Sequence, residues 1–428
     1  MDHAASALRK VRWRLLGFLS TLYFAAFIDR VNVGFAATQL QRDLGFAADV
    51  YGLGAGVFFL GYCLFEVPSN LILHRVGART WIARIMITWG LLAGAMALMR
   101  SAHTFYVLRF LLGVAEAGFF PGIIYYLTYW VPARERARFI GRFMVAIPVS
   151  TAVAGPLSGW ILGLDGVAGL AGWQWLFLLE TLPSIALGIL CLRLLADTPA
   201  SARWLSAPER DWLLAELAAE RATAPPTPHS LLRALRAAPV PALCVCYFGS
   251  QLAHYGVVFF IAPVYAATGL SSKAVGYAVA LPYALAACAM VLWPRHSDRH
   301  NERHGHIVLA CLVAFAGLLL VAAAPTSPLA CLIGFSIGVS GTLAMLPVFW
   351  TLPAARLQGA AAAAGIALIN ATGNLGGFVG PYALGWIRRS TGGFGIGVAS
   401  VACGLLLAAA IAWGLRPRGL PQARAARA

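Results

Sequence analysis

LLGFLSTLYFAAFIDRVNVGFAA, residues Leu15–Ala37, is apolar along its whole length apart from Asp29-Arg30 and a few small polar residues. As a helix it would be about 33 Å long, enough to cross a hydrocarbon core that takes about 17–25 apolar residues. Eleven further apolar runs follow, most of them long enough to span: Tyr51–Leu73, Trp81–Met99, Thr104–Trp130, Phe139–Leu162, Trp173–Leu195, Val240–Ala266, Ala274–Trp293, Ile307–Ala324, Pro328–Leu352, Ala361–Trp386 and Phe394–Leu415. A helix satisfies its own backbone in lipid, whereas barrel strands would show ~10-residue alternation, and none is visible. The pattern predicts an all-α membrane protein with twelve transmembrane helices.

Composition agrees. Sixty per cent of the 428 residues are hydrophobic and only 11% charged, against roughly 25% charged in soluble proteins. The net charge of +16 raises the possibility of nucleic-acid binding, but the distribution of the 32 basic residues argues against it. The termini and even-numbered loops carry 25 of them, the odd loops five (Arg42, Arg100, Lys273, Arg388, Arg389), and Arg30 and Arg109 are embedded. That asymmetry places both termini in the cytoplasm of a bacterial inner membrane. The first run is too long for a signal peptide and lacks a small-residue cleavage site, so it reads as the first helix. All eight cysteines fall in apolar runs and read as small hydrophobes. No cofactor or metal is expected, and no nucleophile constellation suggests an enzyme.

Landmarks repeat along the chain. His74-Arg75 follows the second run and Asp298-Arg299 the eighth; Gly155-Pro156 lies in the fifth and Gly380-Pro381 in the eleventh. The near-constant offset predicts two pseudo-symmetric six-helix bundles, residues 1–195 and 240–428, with a substrate site between them near mid-membrane. The intervening residues 196–239 form a central cytoplasmic loop. In it, Ser206-Ala-Pro-Glu209 has the form of a capping box, and Leu213, Leu214 and Leu217 mark an amphipathic helix on the membrane surface. A Pro-rich linker follows at Pro225–Pro228.

An ionisable group in the bilayer core costs about 2.5–3.5 kcal/mol on insertion scales, so embedded charges are functional suspects. Asp29 and Arg30 lie in the first helix, Glu66 in the second, Arg109 and Glu116 in the fourth, and Glu180 in the sixth. After Pro239 the only acids are Asp298 and Glu302, both in a loop. Carboxylate proton carriers must therefore lie in the N-terminal half. Helical rise places Asp29 at a depth between Arg109 and Glu116, and Arg109, Gly113 and Glu116 share one helix face. Packing of the first and fourth helices would gather Asp29, Arg30, Arg109 and Glu116, either as a coupling device or as a structural ion pair. Arg suits bidentate carboxylate binding. Glu66 and Glu180 read as structural.

With these residues in view, the chain resembles the anion:cation symporter family of the major facilitator superfamily. The resemblance rests on Tyr23-Phe-Ala-Ala-Phe-Ile-Asp29-Arg30-Val-Asn32-Val-Gly34, on Glu66-Val-Pro68-Ser69-Asn70 through His74-Arg75 to Arg79, and on Arg109 through Glu116 to Pro121-Gly122. Gly365 through Asn370 and Asn374-Leu-Gly376-Gly377-Phe378-Val-Gly380-Pro381 add to it. It spans nearly the whole chain and implies uptake of an organic anion (phthalate, nicotinate, 4-hydroxyphenylacetate or tartrate) with protons. It further implies protonation of Asp29 and Glu116, with Arg109 modulating Glu116, Arg30 on the substrate, and Asn370 and Asn374 as polar contacts from the C-terminal half. His74, Arg75, Arg79, Asp298 and Arg299 would form the gating loops. Asn70, His74 and Pro294 depart from the superfamily's usual loop residues.

Weaker signals complete the candidate list. Gln251 and His254 in the seventh helix, together with Tyr23 and Tyr62, are candidate substrate contacts. Tyr125 and Tyr126 could stack on a substrate, while Tyr129 and Trp130 suit the interfacial aromatic belt. His296, His300, His304 and His306 read as a solvated loop. Gly155-Pro156-Leu-Ser-Gly159 resembles part of a drug-antiporter motif but suits close helix packing. The expected function is proton-coupled symport of a small organic carboxylate by a monomer; the alternative is proton-coupled efflux of an amphipathic compound. A receptor would need a signalling domain that the chain lacks.

Overall fold

A computed structural model describes residues 3–222, 239–356 and 359–416. The expected Pro225–Pro228 linker and the basic residues Arg233, Arg236, Arg418, Arg424 and Arg427 lie outside the described residues. Among those residues, eleven helices are long and apolar enough to cross a membrane. They are α1 (His3–Leu44), α2 (Ala48–Val76), α3 (Ala78–Leu98), α4 (Ala102–Leu127), α5 (Ala133–Leu164), α6 (Gly172–Leu194), α7 (Val240–Ala267), α8 (Ser272–Arg299), α9 (His304–Ala323), α10 (Pro328–Pro353) and α12 (Gly395–Gly414). A further helix, α11 (Gly359–Thr391), occupies the twelfth expected run. Apolar side chains such as Leu64, Leu71, Leu98 and Leu292 are mostly exposed on the outside of this bundle. An apolar belt of that extent needs lipid against it.

The packing repeats. In the first six helices α1 lies against α5 and α6, α2 against α4, and α3 against α6; in the last six α7 lies against α11 and α12, α8 against α10, and α9 against α12. The two sets meet through α2 with α11, α5 with α8 and α1 with α7.

Glycine decides how closely they meet. A Cβ at Gly52 would run into the Pro381 carbonyl, and one at Gly276 into the carbonyl of Gly155, the residue before Pro156. The two crossings are equivalents under the repeat. A Cβ at Gly56 would likewise come within 2.7 Å of the Phe378 carbonyl, and one at Gly159 within 2.7 Å of the Ser272 carbonyl. Small residues that let helix backbones approach are the usual means of association in lipid. These approaches lie toward the face of the bundle opposite the N-terminus, where Asp49 of α2 also pairs with Arg389 of α11. Lys273 of α8 caps the Trp160 ring of α5 there at 4.8 Å.

Three local differences from the sequence reading have clear causes. First, α1 begins at His3, well before Leu15, because Ala7 and Val11 are fully buried and the helix docks on the short helix Ala207–Ala222. Second, that short helix does not lay its apolar stripe on lipid. Leu213 and Leu217 are buried in protein while Leu214 is exposed. Arg134–Glu216 (3.3 Å), Arg136–Glu220 (2.9 Å) and Lys10–Glu209 (2.7 Å) tie it to α5 and α1. The expected capping box is visible in the Ser206 backbone N–H donating to Glu209 at 2.9 Å. The Lys10 ammonium, with that N–H and the Ser6 hydroxyl, lowers the Glu209 pKa to about 2.

Third, α4 is broken. Its helical segments Ala102–Glu116 and Phe119–Leu127 join through Gly118 at φ +82°. Pro121 has no N–H for the Ala117 carbonyl, and glycine supplies the left-handed turn. Trp130, expected in the interfacial belt, is fully buried and stacks on Trp204 (5.4 Å) beneath the loop after α6.

Candidate functional site

A cavity lies between the two six-helix sets, lined by seventeen residues from α1, α2, α4, α5, α7, α10 and α11. Helical spacing explains who reaches it. Tyr23, Phe27 and Arg30 recur at i, i+4, i+7 on one face of α1, and Tyr247, Gln251 and His254 do so on α7. Asn370 and Asn374 share one face of α11. Seven of the eight expected substrate contacts therefore line one space: Tyr23, Arg30, Tyr62, Gln251, His254, Asn370 and Asn374. Phe58, Phe59, Phe120, Met144, Ile147, Tyr255, Leu346 and Trp350 add largely apolar walls that the sequence did not single out.

The eighth, Tyr125, is elsewhere. It lines a separate depression with Tyr129, Arg136, Leu217 and Glu220 at the end of α4, and its ring lies 5.9 Å from that of His74. Beyond the break at Gly118 the α4 face turns, so Phe120 reaches the cavity in its place.

Embedded charges separate into three groups. Arg30, 6% exposed, forms an ion pair with Glu116 across the α1–α4 gap. Its guanidinium also lies 3.5 Å from the Tyr255 hydroxyl and over the rings of Phe27 (4.9 Å) and Phe58 (5.5 Å). The break in α4 directly after Glu116 sets this carboxylate at the end of a helical segment, facing Arg30.

Arg109 is fully buried and has no ion-pair partner among the described residues. It donates to the carbonyls of Gly54 and Ala55 on α2, each at 3.2 Å, and lies over Phe58 at 4.9 Å. Asp29 faces away from both arginines. Its carboxylate accepts from Ser184 of α6 at 2.5 Å, and one of its oxygens has no hydrogen-bond partner. Glu180, one turn from Ser184, accepts from Ser158 of α5 at 2.7 Å and lies within electrostatic reach of Asp29. The expected four-membered cluster is thus divided. Adjacent residues on a helix point about 100° apart, so Asp29 and Arg30 cannot share a face.

Glu66 is the residue the sequence reading set aside. It is buried on α2 and accepts from Asn370 (2.7 Å) and Asn374 (3.3 Å) of α11, across the boundary between the two sets. No sequence signal linked residues 304 and 308 positions apart.

The expected gating residues gather at the face bearing the N-terminus. The Arg79 backbone N–H donates to Asp197 at 2.9 Å, and its side chain lies 3.9 Å from the same carboxylate. Gly77 makes the turn between α2 and α3 at φ +93°. Asp298 pairs with Arg303 at 2.6 Å.

Comparison with known proteins gives a consistent outcome. The family model described as Major Facilitator Superfamily matches residues 19–381. An Agrobacterium vitis protein named "Putative tartrate transporter" is 50% identical over 422 residues, covering 99% of this chain and 94% of that protein. "Putative metabolite transport protein NicT" of Pseudomonas putida is 43% identical, covering 92% and 90%. "Quinolone resistance transporter" of Acinetobacter baumannii is 42% identical, covering 93% and 92%. Among solved structures, a bacterial homologue of the human lysosomal transporter Spinster, in an inward-facing and occupied conformation, superposes with a TM-score of 0.75 at 18% identity over 94% of this chain and 96% of that one.

Proposed function

This chain belongs to the major facilitator superfamily of membrane transporters, and from that premise we propose that it imports a small organic carboxylate together with protons. The observation that carries the proposal is Arg30, which lines the cavity between the two halves and is paired from behind with the buried Glu116. Among the described residues lining the cavity, Arg30 is the one arginine or lysine, and its partner is a carboxylate that can take up a proton.

Coupling follows from competition for that cation. While Glu116 is ionised it holds Arg30. When Glu116 is protonated, the guanidinium is released and can bind a substrate carboxylate through its fork. Anion and proton therefore favour each other's binding, and by linkage the coupling is reciprocal. Asp29, held by one Ser184 hydroxyl, supplies a second proton site. Two protonatable carboxylates match the charge of a dicarboxylate, so a proton-compensated dianion of the tartrate class is the substrate that fits best; the relative named as a tartrate transporter supports it.

The positive-inside asymmetry sets both termini in the cytoplasm. The face where glycines bring the halves together is then the outer one. Rocking of the halves would open α2 from α11 and α5 from α8 at the outer face.

One observation favours a second reading, proton-driven efflux of an amphipathic compound: the relative named as a quinolone resistance transporter, combined with the aromatic walls of the cavity. Proteoliposomes with an imposed inward proton gradient separate the two. Uptake of radiolabelled L-tartrate, nicotinate, phthalate or 4-hydroxyphenylacetate, abolished in Glu116→Gln, supports symport. Movement of none of these anions, with gradient-driven extrusion of a quinolone, supports efflux instead.

A further inference from the structure

Beside the cavity, bonded to two of its lining residues, is a buried carboxylate that importing an anion does not call for. Glu66 places both of its oxygens on amide donors from the other half, Oε1 on Asn370 Nδ2 at 2.7 Å and Oε2 on Asn374 Nδ2 at 3.3 Å. Two N–H donors on two separate oxygens suit an ionised, acceptor-only carboxylate. Both asparagines line the cavity. They are also the residues a substrate carboxylate or hydroxyl arriving from Arg30 would need on the C-terminal side.

We propose that Glu66 is a tethered competitor: it occupies the Asn370 and Asn374 amides in the empty transporter and is displaced from them by the incoming anion, so that it sets which anions are accepted and how tightly. The inference rests on the organic-anion reading above. Its physical basis is that a bound anion and Glu66 want the same two donors. A neutral group at position 66 would surrender them more readily and would not repel a negative charge nearby. A dianion feels that repulsion on both of its charged groups, a monoanion on one, so Glu66 also grades substrates by charge. The arrangement lies on the α2–α11 interface only. Cys63, one turn earlier on α2, approaches the Ala371 carbonyl of α11 at 3.9 Å, so displacement of Glu66 acts where the two halves separate.

The test measures binding by purified, monodisperse transporter to L-tartrate (a dianion) and glycerate (a monoanion), using Glu66→Gln and Glu66→Asp. Glutamine presents one acceptor oxygen and no charge, so at least one amide is freed. The expected result is a five- to tenfold lower Kd for L-tartrate in Glu66→Gln and a smaller gain for glycerate. Adding Asn374→Ala to that variant should remove most of the gain. Glu66→Asp retains the charge one methylene further back and should gain less than threefold; it carries the test if the glutamine variant does not fold. A purely structural role predicts weaker binding or none of these gains, so Kd values equal to or above the parent's in a monodisperse variant overturn the proposal. A parent protein that binds neither anion overturns the organic-anion reading, and this inference with it.

Discussion

The two halves of the molecule approach the cavity with different chemistry. The N-terminal half brings every embedded acid, Asp29, Glu66, Glu116 and Glu180, and the embedded arginines Arg30 and Arg109. The C-terminal half faces the same space with neutral groups: Gln251, His254, Tyr255, Asn370 and Asn374. Yet the helices repeat, and the glycine crossings at Gly52–Pro381 and Gly155–Gly276 correspond between halves. A duplicated scaffold has kept its packing symmetry while its charge has moved to one side. On the proposed mechanism, proton handling falls to the first half and neutral recognition to the second.

That division can be broken most severely at Arg30. Arg30→Ala leaves Glu116 buried without its cation, a change that costs about 3–5 kcal/mol in comparable pairs. Uptake in proteoliposomes should fall by roughly 100-fold or more, since both the anion's cation and the proton switch are lost. Asp29→Asn should separate coupling from recognition. Gradient-driven accumulation should fall about tenfold or more, while anion exchange at equal pH on both sides persists, because the neutral variant carries one proton fewer with each anion.

The packing symmetry can be tested next. Gly155→Val and Gly52→Val each place a side chain against a carbonyl of the opposite half, where overpacking costs about 1–3 kcal/mol. Both should slow transport by a similar factor, about five- to tenfold. Unequal effects would show that the two crossings are not equivalent. On the neutral side, Gln251→Ala should raise KM about three- to tenfold with little change in coupling, consistent with the loss of one hydrogen bond.

The smallest effect belongs outside the cavity. Glu209 has its pKa lowered to about 2 by Lys10 and its neighbours, from an ordinary 4.5. A depressed carboxylate pKa stabilises the fold above the ordinary value, and that contribution is lost as pH falls through about 4.5 toward 2. Docking of Ala207–Ala222 on α1 should therefore be constant above about pH 5 and loosen below it, read by hydrogen exchange in that helix. Glu209→Gln should abolish the pH dependence and leave uptake nearly unchanged.

Much of this architecture was legible in the residues. Apolar length indicated the spans, the repeated Gly-Pro and Arg landmarks indicated the duplication, and the embedded polar residues of the first and seventh helices pointed to Tyr23, Arg30, Gln251 and His254 as substrate contacts. What spacing cannot give is the rotation of one helix against another. Depth arithmetic placed Asp29 among the arginines, but its side chain turns toward Ser184. The α4 break was written in Gly118 and Pro121, yet its consequence, Phe120 in the cavity and Tyr125 out of it, depends on how far the chain turns there. Glu66 looked structural because its partners lie in the other half, beyond any local pattern. Trp130 looked interfacial because the loop that buries it follows two helices later.

The central claim is that protons enter through carboxylates of the N-terminal half as the anion binds Arg30. The most direct measurement is external pH in lightly buffered proteoliposomes, with no imposed gradient, after addition of L-tartrate to the parent, Asp29→Asn and Glu116→Gln. The account predicts alkalinisation outside with the parent, a smaller signal in Asp29→Asn and its loss in Glu116→Gln. Equal alkalinisation in all three proteins, or acidification with the parent, would contradict it.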